Sequence, residues 1–210
     1  ELFVKALAVG SVVCFTGLNC LGVRESSAVQ NLLTSTKALL LALVAAAAGV
    51  SLSSPSGRET FSRNLGRGAF EGSTPSGLGP ALIGALWAFD GWNDIVFMAE
   101  ELKEPNKLPR IIAISLSTCA VLYVIMSVCY DAVLPASSIA ASSTVALDVV
   151  LSTLGGAAFV ATGALVSVSV LGSLNASIMT GGRLFFSGAR DGDLPRAMAT
   201  LSKGARAPYV

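Results

Sequence analysis

Apolar residues gather in five long runs along this chain, and polar residues collect between the runs instead of alternating with them. A helix needs about 20 predominantly apolar residues to cross the hydrocarbon core of a bilayer. Five segments meet that test, at about residues 2–23, 28–52 (counting the less apolar start AVQNLLTST), 77–99, 108–134 and 154–180. The pattern predicts an all-α, multi-pass membrane protein lying in a lipid bilayer.

The connections carry the complementary signal. Residues 53–76 are rich in Gly, Ser, Pro and charge, which marks an aqueous loop. EELKEPNKLPR, after the third run, is short and charged and is punctuated by Pro105 and Pro109. PASSIAASSTVALDVVLSTLGG, after the fourth, holds no Lys or Arg, whereas residues 181–210 are basic and broken by glycine. Loops with an excess of Lys and Arg stay on the cytoplasmic side of a membrane. Arg24, Lys103, Lys107, Arg110, Arg183, Arg190, Arg196, Lys203 and Arg206 fall on one side, against Lys5, Arg58, Arg63 and Arg67 on the other, with Lys37 set aside as intramembrane. This bias predicts a first helix running inward, an outer loop at 53–76 and a cytoplasmic segment at 181–210.

Composition agrees. Of 210 residues, 53% are hydrophobic, 13% are charged and none is histidine, with a mean hydropathy of +0.71. Soluble domains are about a quarter charged. The lack of histidine removes Ser/His and Cys/His nucleophile pairs and most catalytic zinc sites. Cys14, Cys20, Cys119 and Cys129 lie in apolar stretches without metal-ligand spacing and read as buried, unreactive thiols. No catalytic residue, cofactor or metal is expected. The basic residues are not interleaved with aromatics as in nucleic-acid surfaces, so no nucleic-acid partner is expected either. Asn175-Ala-Ser177 matches a glycosylation pattern but lies within an apolar run, where the match is accidental. The chain opens on Glu1 without a leader pattern and ends on ARAPYV, which reads as a piece of a longer polypeptide.

The third run poses the functional question. ALWAFDGWNDIVFMAEELKEPNK places Asp90 and Asp94 beside Gly91 at membrane depth. An unpaired charge at the bilayer centre costs at least about 2.5–3.5 kcal/mol on insertion scales. In an unbroken helix the two carboxylates would share a face and repel. Gly91 tolerates backbone angles that interrupt the helix, and Asp90 competes for backbone hydrogen bonds. An interruption near 88–93 would free the carbonyls of Trp87, Ala88 and Phe89 to meet an ammonium, with Asp90 supplying charge, and would put Asp94 in the first turn of the second half. Broken helices of this kind line transporter substrate sites. The competing reading is that the aspartates are protonated or paired and only orient helices.

Here GLGPALIGALWAFDGWNDIVFMAEELKEPNKLPR resembles the sixth transmembrane helix and following loop of the L-type amino acid transporters, the light subunits of the heteromeric amino acid transporters, within the amino acid/polyamine/organocation superfamily. GLNCLGVRESSAVQNLLTSTKALLLAL resembles that family's fourth-to-fifth helix junction, LGSLNASIMTGGRLFFSGARDGDLP its eighth helix and the loop beyond, and APYV the approach to its ninth. The resemblance implies a fragment, helices four to eight of twelve, of an inverted-repeat (LeuT-like) transporter fold. It implies a plasma-membrane location, sodium-independent amino acid exchange and pairing with a single-pass glycoprotein heavy subunit.

Carried over by position, Trp87 falls at the aromatic gate, and the backbone around Trp87, Ala88, Phe89, Asp90 and Gly91 falls where the substrate ammonium is held. Asn93 and Asp94 align with residues shaping the side-chain pocket, and Ser173 and Ser177 with positions near it. Many relatives hold a small residue at position 90, whereas the subtype handling neutral and dibasic amino acids carries Asp in a closely similar LWAYDGWN, which implies cationic as well as neutral substrates. Asp94 departs from the commoner Tyr or Gln. Lys37 aligns with a lysine that occupies the place of a sodium ion in sodium-coupled relatives. Read without the resemblance, Lys37 instead begins its helix and snorkels to the interface. A buried ammonium also leaves proton coupling open. Glu100 and Glu101 match a signature at the cytoplasmic helix end.

Two other classes compete with a carrier. An intramembrane aspartyl protease would use Asp90 with Asp131, but Asp131 falls near the outer end of its run, while a dyad needs both carboxylates at one level. A channel or purely structural subunit would use the aspartates for assembly alone.

Overall fold

The computed structural model describes residues 1–66 and 74–200, with the backbone alone at Glu101. Arg67, Lys203, Arg206 and APYV, and with them parts of the 53–76 and 181–210 connections, lie outside the described residues. The described chain is all helix and turn: α1 (Leu2–Leu21), α2 (Val23–Ser53), α3 (Pro55–Leu65), α4 (Pro75–Ala88), α5 (Asp94–Phe97), α6 (Leu108–Asp131), α7 (Ala136–Ala141), α8 (Val145–Leu154) and α9 (Gly156–Asp191), with 3-10 turns at Ala99–Glu101, Pro105–Lys107 and Arg196–Ala199. Among the described residues, four helices are long and apolar enough to cross a bilayer: α1, α2, α9, and α6 with the turn before it (Pro105–Asp131). The run expected as a further span, 77–99, is not among them because its α4 part ends at Ala88. At 1.5 Å per residue, that 14-residue helix reaches about 21 Å, short of the hydrocarbon thickness of about 30 Å.

The apolar surface faces outward, as it must in lipid. Leu2, Phe3, Val9 and Val13 of α1 and Val121 and Val124 of α6 are exposed on this chain, and α1 buries no residue. Cys14 and Cys119 sit on such outward faces and are exposed, while Cys20 and Cys129 are half-buried, so the expectation of four buried thiols fails for two of them.

The chain divides into two compact units. The first comprises Glu1–Lys37, Asn93–Pro109 and Ser167–Val210. Here α1 ends at Gly22, whose φ of 143° turns the chain into α2, and Ser26 Oγ donates back to the Gly22 carbonyl at 2.9 Å. The first half of α2 meets α9 closely at Gly172. A Cβ there would lie 3.1 Å from Leu33 Cβ, tighter than ordinary contact, so a larger residue would need the helices to give. Such close approach by a small residue is the usual way membrane helices gain packing energy, since lipid supplies no hydrophobic drive between them. α9 runs through Gly181, Gly182 and Gly188 to Asp191, into the segment whose glycines predict a break. Each glycine costs about 1 kcal/mol of helix propensity. Burial of Met179 and Ala189 on this stretch works against that cost, and Arg183 donates to the Met179 carbonyl one turn back.

The second unit comprises Ala38–Trp92 and Arg110–Val166. Its core is Val44 and Ala47 of α2, Met126 of α6, and Val149 and Val150 of α8. The connection at 53–76 contains α3, started by Ser54, whose hydroxyl accepts from Gly57 N–H at 3.1 Å, and by Pro55 at the first helical position. Asn64, near its end, donates to the Asp131 and Leu134 carbonyls at 2.8 Å each, and Ser51 Oγ donates to the Ala132 carbonyl at 2.8 Å. The last turn of α6 and the residues after it would otherwise leave those acceptors without partners.

Candidate functional site

The interruption is built from local backbone preferences. At the end of α4 the Phe89 and Asp90 amides bond back only three residues, to the Leu86 and Trp87 carbonyls, each at 3.1 Å. Gly91 then takes φ 94°, a region that costs other residues about 1–2 kcal/mol. Asn93 precedes α5, a single turn in which Val96 bonds back to the Asn93 carbonyl at 2.9 Å, and a 3-10 turn follows from Ala99. The second half is therefore shorter and tighter than a helix running to residue 99. One turn aligns few peptide dipoles, so Asp94 gains little from a macrodipole.

Two of the three carbonyls expected to meet an ammonium already hold a partner. Trp87 O accepts from Asp90 N–H, and Ala88 O accepts the Tyr123 hydroxyl from α6. A carbonyl has two lone pairs, so each keeps acceptor capacity. The Phe89 and Tyr123 rings meet edge to face, with centroids 5.2 Å apart and planes at 84°. α6 thus braces the break from within the second unit. Tyr123 is a contact of the candidate site that sequence reasoning missed, although a tyrosine in an apolar run carries a hydroxyl that needs an acceptor. Trp87, the expected gate, is 77% exposed on this chain, and Asp90 and Gly91 are exposed too.

The expected site residues fall in both units. Trp87, Ala88, Phe89, Asp90 and Gly91 belong to the second, and Lys37, Asn93, Asp94, Ser173 and Ser177 to the first. Within the first unit, Lys37 Nζ donates to Ser173 Oγ at 3.2 Å, joining α2 to α9. Ser177, one turn further along α9, is exposed.

Between the two serines sits Asn175, wholly buried and at the centre of a relay of side-chain amides. Asn19 Nδ2 on α1 donates to Asn175 Oδ1 at 3.0 Å, and Asn175 Nδ2 donates to Gln30 Oε1 on α2 at 2.8 Å. Three helices are tied by side-chain amides at one level. Sequence reading singled out the serines and passed over this partner, which the presence of an amide on each of three apolar helices could have signalled.

At the far end of the first unit, Arg190 grips Glu100 with both terminal nitrogens, one at 3.1 Å, and packs over the Phe186 ring at 5.8 Å. The guanidinium holds the Glu100 carboxyl below the usual carboxylate range, by hydrogen bonding first and charge second.

The geometry gives no support to a carboxylate dyad in the second unit. Asp131 is the last residue of α6, whereas the hydroxyl that reaches the break belongs to Tyr123, eight residues earlier and about 12 Å along the axis.

An amino acid permease family model matches residues 1–210. The b(0,+)-type amino acid transporter 1 of Homo sapiens is 29% identical over 205 residues, covering 96% of this chain and 41% of that protein. The large neutral amino acids transporter small subunit 2 of Rattus norvegicus is 32% identical over 205 residues, 96% of this chain and 38% of the relative. Amino acid transporter protein 6 of Caenorhabditis elegans is 34% identical over 144 residues, 67% of this chain and 27% of the relative. The chain spans about two fifths of the length of the first two of these curated relatives. Matched along its whole length and built of apolar helices that can cross a bilayer, the chain belongs to the amino acid permease family of membrane proteins.

Proposed function

We propose that the chain is the central part of a carrier that moves amino acids across a membrane by alternating access, with the substrate held at the interrupted helix around Gly91. The observation that carries this reading is the interruption itself. A helix that stops at Ala88, turns through a positive φ at Gly91 and restarts at Asp94 exposes main-chain dipoles that lipid cannot satisfy. Such breaks suit the charged ends of an amino acid. The carbonyls of Trp87, Ala88 and Phe89 with the Asp90 carboxylate would take the ammonium, Trp87 would close over it, and Asn93, Asp94, Ser173 and Ser177 would shape the pocket for the side chain. Asp90 favours cationic substrates beside neutral ones, and a relative named for large neutral amino acids lends support to the neutral class.

Lys37 against Ser173 supports sodium-independent exchange, because a fixed ammonium there would do the work of a bound cation between α2 and α9. The plasma membrane is the expected location. A single-pass glycoprotein is the expected partner, in keeping with a relative named as a small subunit. The test is uptake and counterflow of labelled leucine and arginine by the full-length protein in proteoliposomes, with and without sodium. Exchange of both amino acids in either medium is expected. Movement of neither would end the carrier reading, and a sodium requirement would remove the role given to Lys37.

A further inference from the structure

The direction of the amide relay in the first unit is set by one backbone group. The Phe15 carbonyl can only accept, so Asn19 must turn Nδ2 toward it, at 2.8 Å. The same nitrogen reaches Asn175 Oδ1, which commits Asn175 to present its own amide nitrogen to Gln30. Donation therefore runs from Asn19 to Asn175 to Gln30. At the head of the relay Asn19 Oδ1 is left over. Among the described residues it is the buried side-chain polar atom to which no protein group donates. Rotating the Asn19 amide by half a turn would set oxygen against the Phe15 and Asn175 oxygens, which is worse.

Asn19 also lines a small cavity of about 20 Å³, together with Thr16, Cys20, Gly182 and Arg183 among others. A cavity needs about 10–15 Å³ to admit one water, and a water needs two to four polar neighbours. The volume excludes anything much larger, and the Arg183 guanidinium in the lining disfavours a cation. We infer that this cavity is a binding site for a single water molecule that donates to Asn19 Oδ1 and takes its further partners from the polar lining, the Thr16 hydroxyl and Cys20 thiol foremost. The water then satisfies the relay at its head, beside the direct amide bond that joins α1 to α9.

One measurement on the full-length protein tests this. In a density map fine enough to show ordered solvent, a peak is expected about 2.7–3.2 Å from Asn19 Oδ1. An empty cavity, or a protein donor on that oxygen, overturns the inference.

Discussion

Lys37 Nζ lies 3.2 Å from Ser173 Oγ, joining α2 to α9 by one charge-assisted hydrogen bond. Hydrogen bonds to charged groups contribute about 1.5–3 kcal/mol, so replacing Lys37 by Met should lower sodium-free leucine uptake by the full-length protein roughly ten-fold or more. Lys37→Arg should not restore it, because a planar fork cannot take the place of a compact ammonium. Uptake rates in sodium and choline media check both outcomes.

The same contact depends on Gly172. A methyl group there would stand 3.1 Å from Leu33 Cβ and 3.7 Å from Lys37 Cε. The Leu33 atom is fixed to its backbone and cannot swing aside, so Gly172→Ala should force α9 away from α2. Overpacking of this kind costs about 1–3 kcal/mol, more than the helix propensity that alanine returns. A fall in thermal midpoint with a parallel fall in sodium-free uptake is the expected pairing.

Asn175 holds two partners on two other helices. Asn175→Leu should destabilise by about 1–3 kcal/mol for each amide left unpaired, less where lipid-exposed alternatives exist. In a double-mutant cycle Asn175→Leu and Gln30→Leu should be non-additive, the second change costing little once the first is made. Melting curves of the four proteins decide it.

The Glu100–Arg190 pair predicts a pH dependence. Its guanidinium lowers the Glu100 carboxyl relative to the unfolded chain, so the contribution is present above the ordinary carboxylate range and is lost as pH falls through the depressed value. Both side chains are about half exposed or more, so the effect is small and screened by salt. Glu100→Gln should melt slightly below the parent near neutral pH and match it under acid conditions, as parallel melts in low salt would show.

Much of the fold was legible because lipid imposes one requirement, about 20 apolar residues per crossing, and α1, α2, α6 and α9 meet it. The interruption has a local signal in Gly91, which tolerates a positive φ, and in Asp90 beside it, which competes for backbone hydrogen bonds. The connections were less legible. Composition marks 53–76 as an aqueous loop, within which the helix-start pair Ser54-Pro55 begins α3, and the glycines after residue 180 suggest a break where α9 continues to Asp191. In the site, Lys37 and Ser173 are brought together as two polar groups on apolar helices can be. Tyr123 and Asn175 were missed because their roles rest on partners 35 residues or more away in sequence, which no local pattern encodes.

The most direct test of the account is a structure of the full-length protein with leucine or arginine bound. The expected result is a helix interrupted between Ala88 and Asp94, with the substrate amino group within hydrogen-bond reach of the main-chain carbonyls at 87–89. A helix continuous through Gly91, or an amino acid bound elsewhere with those carbonyls untouched, would contradict it.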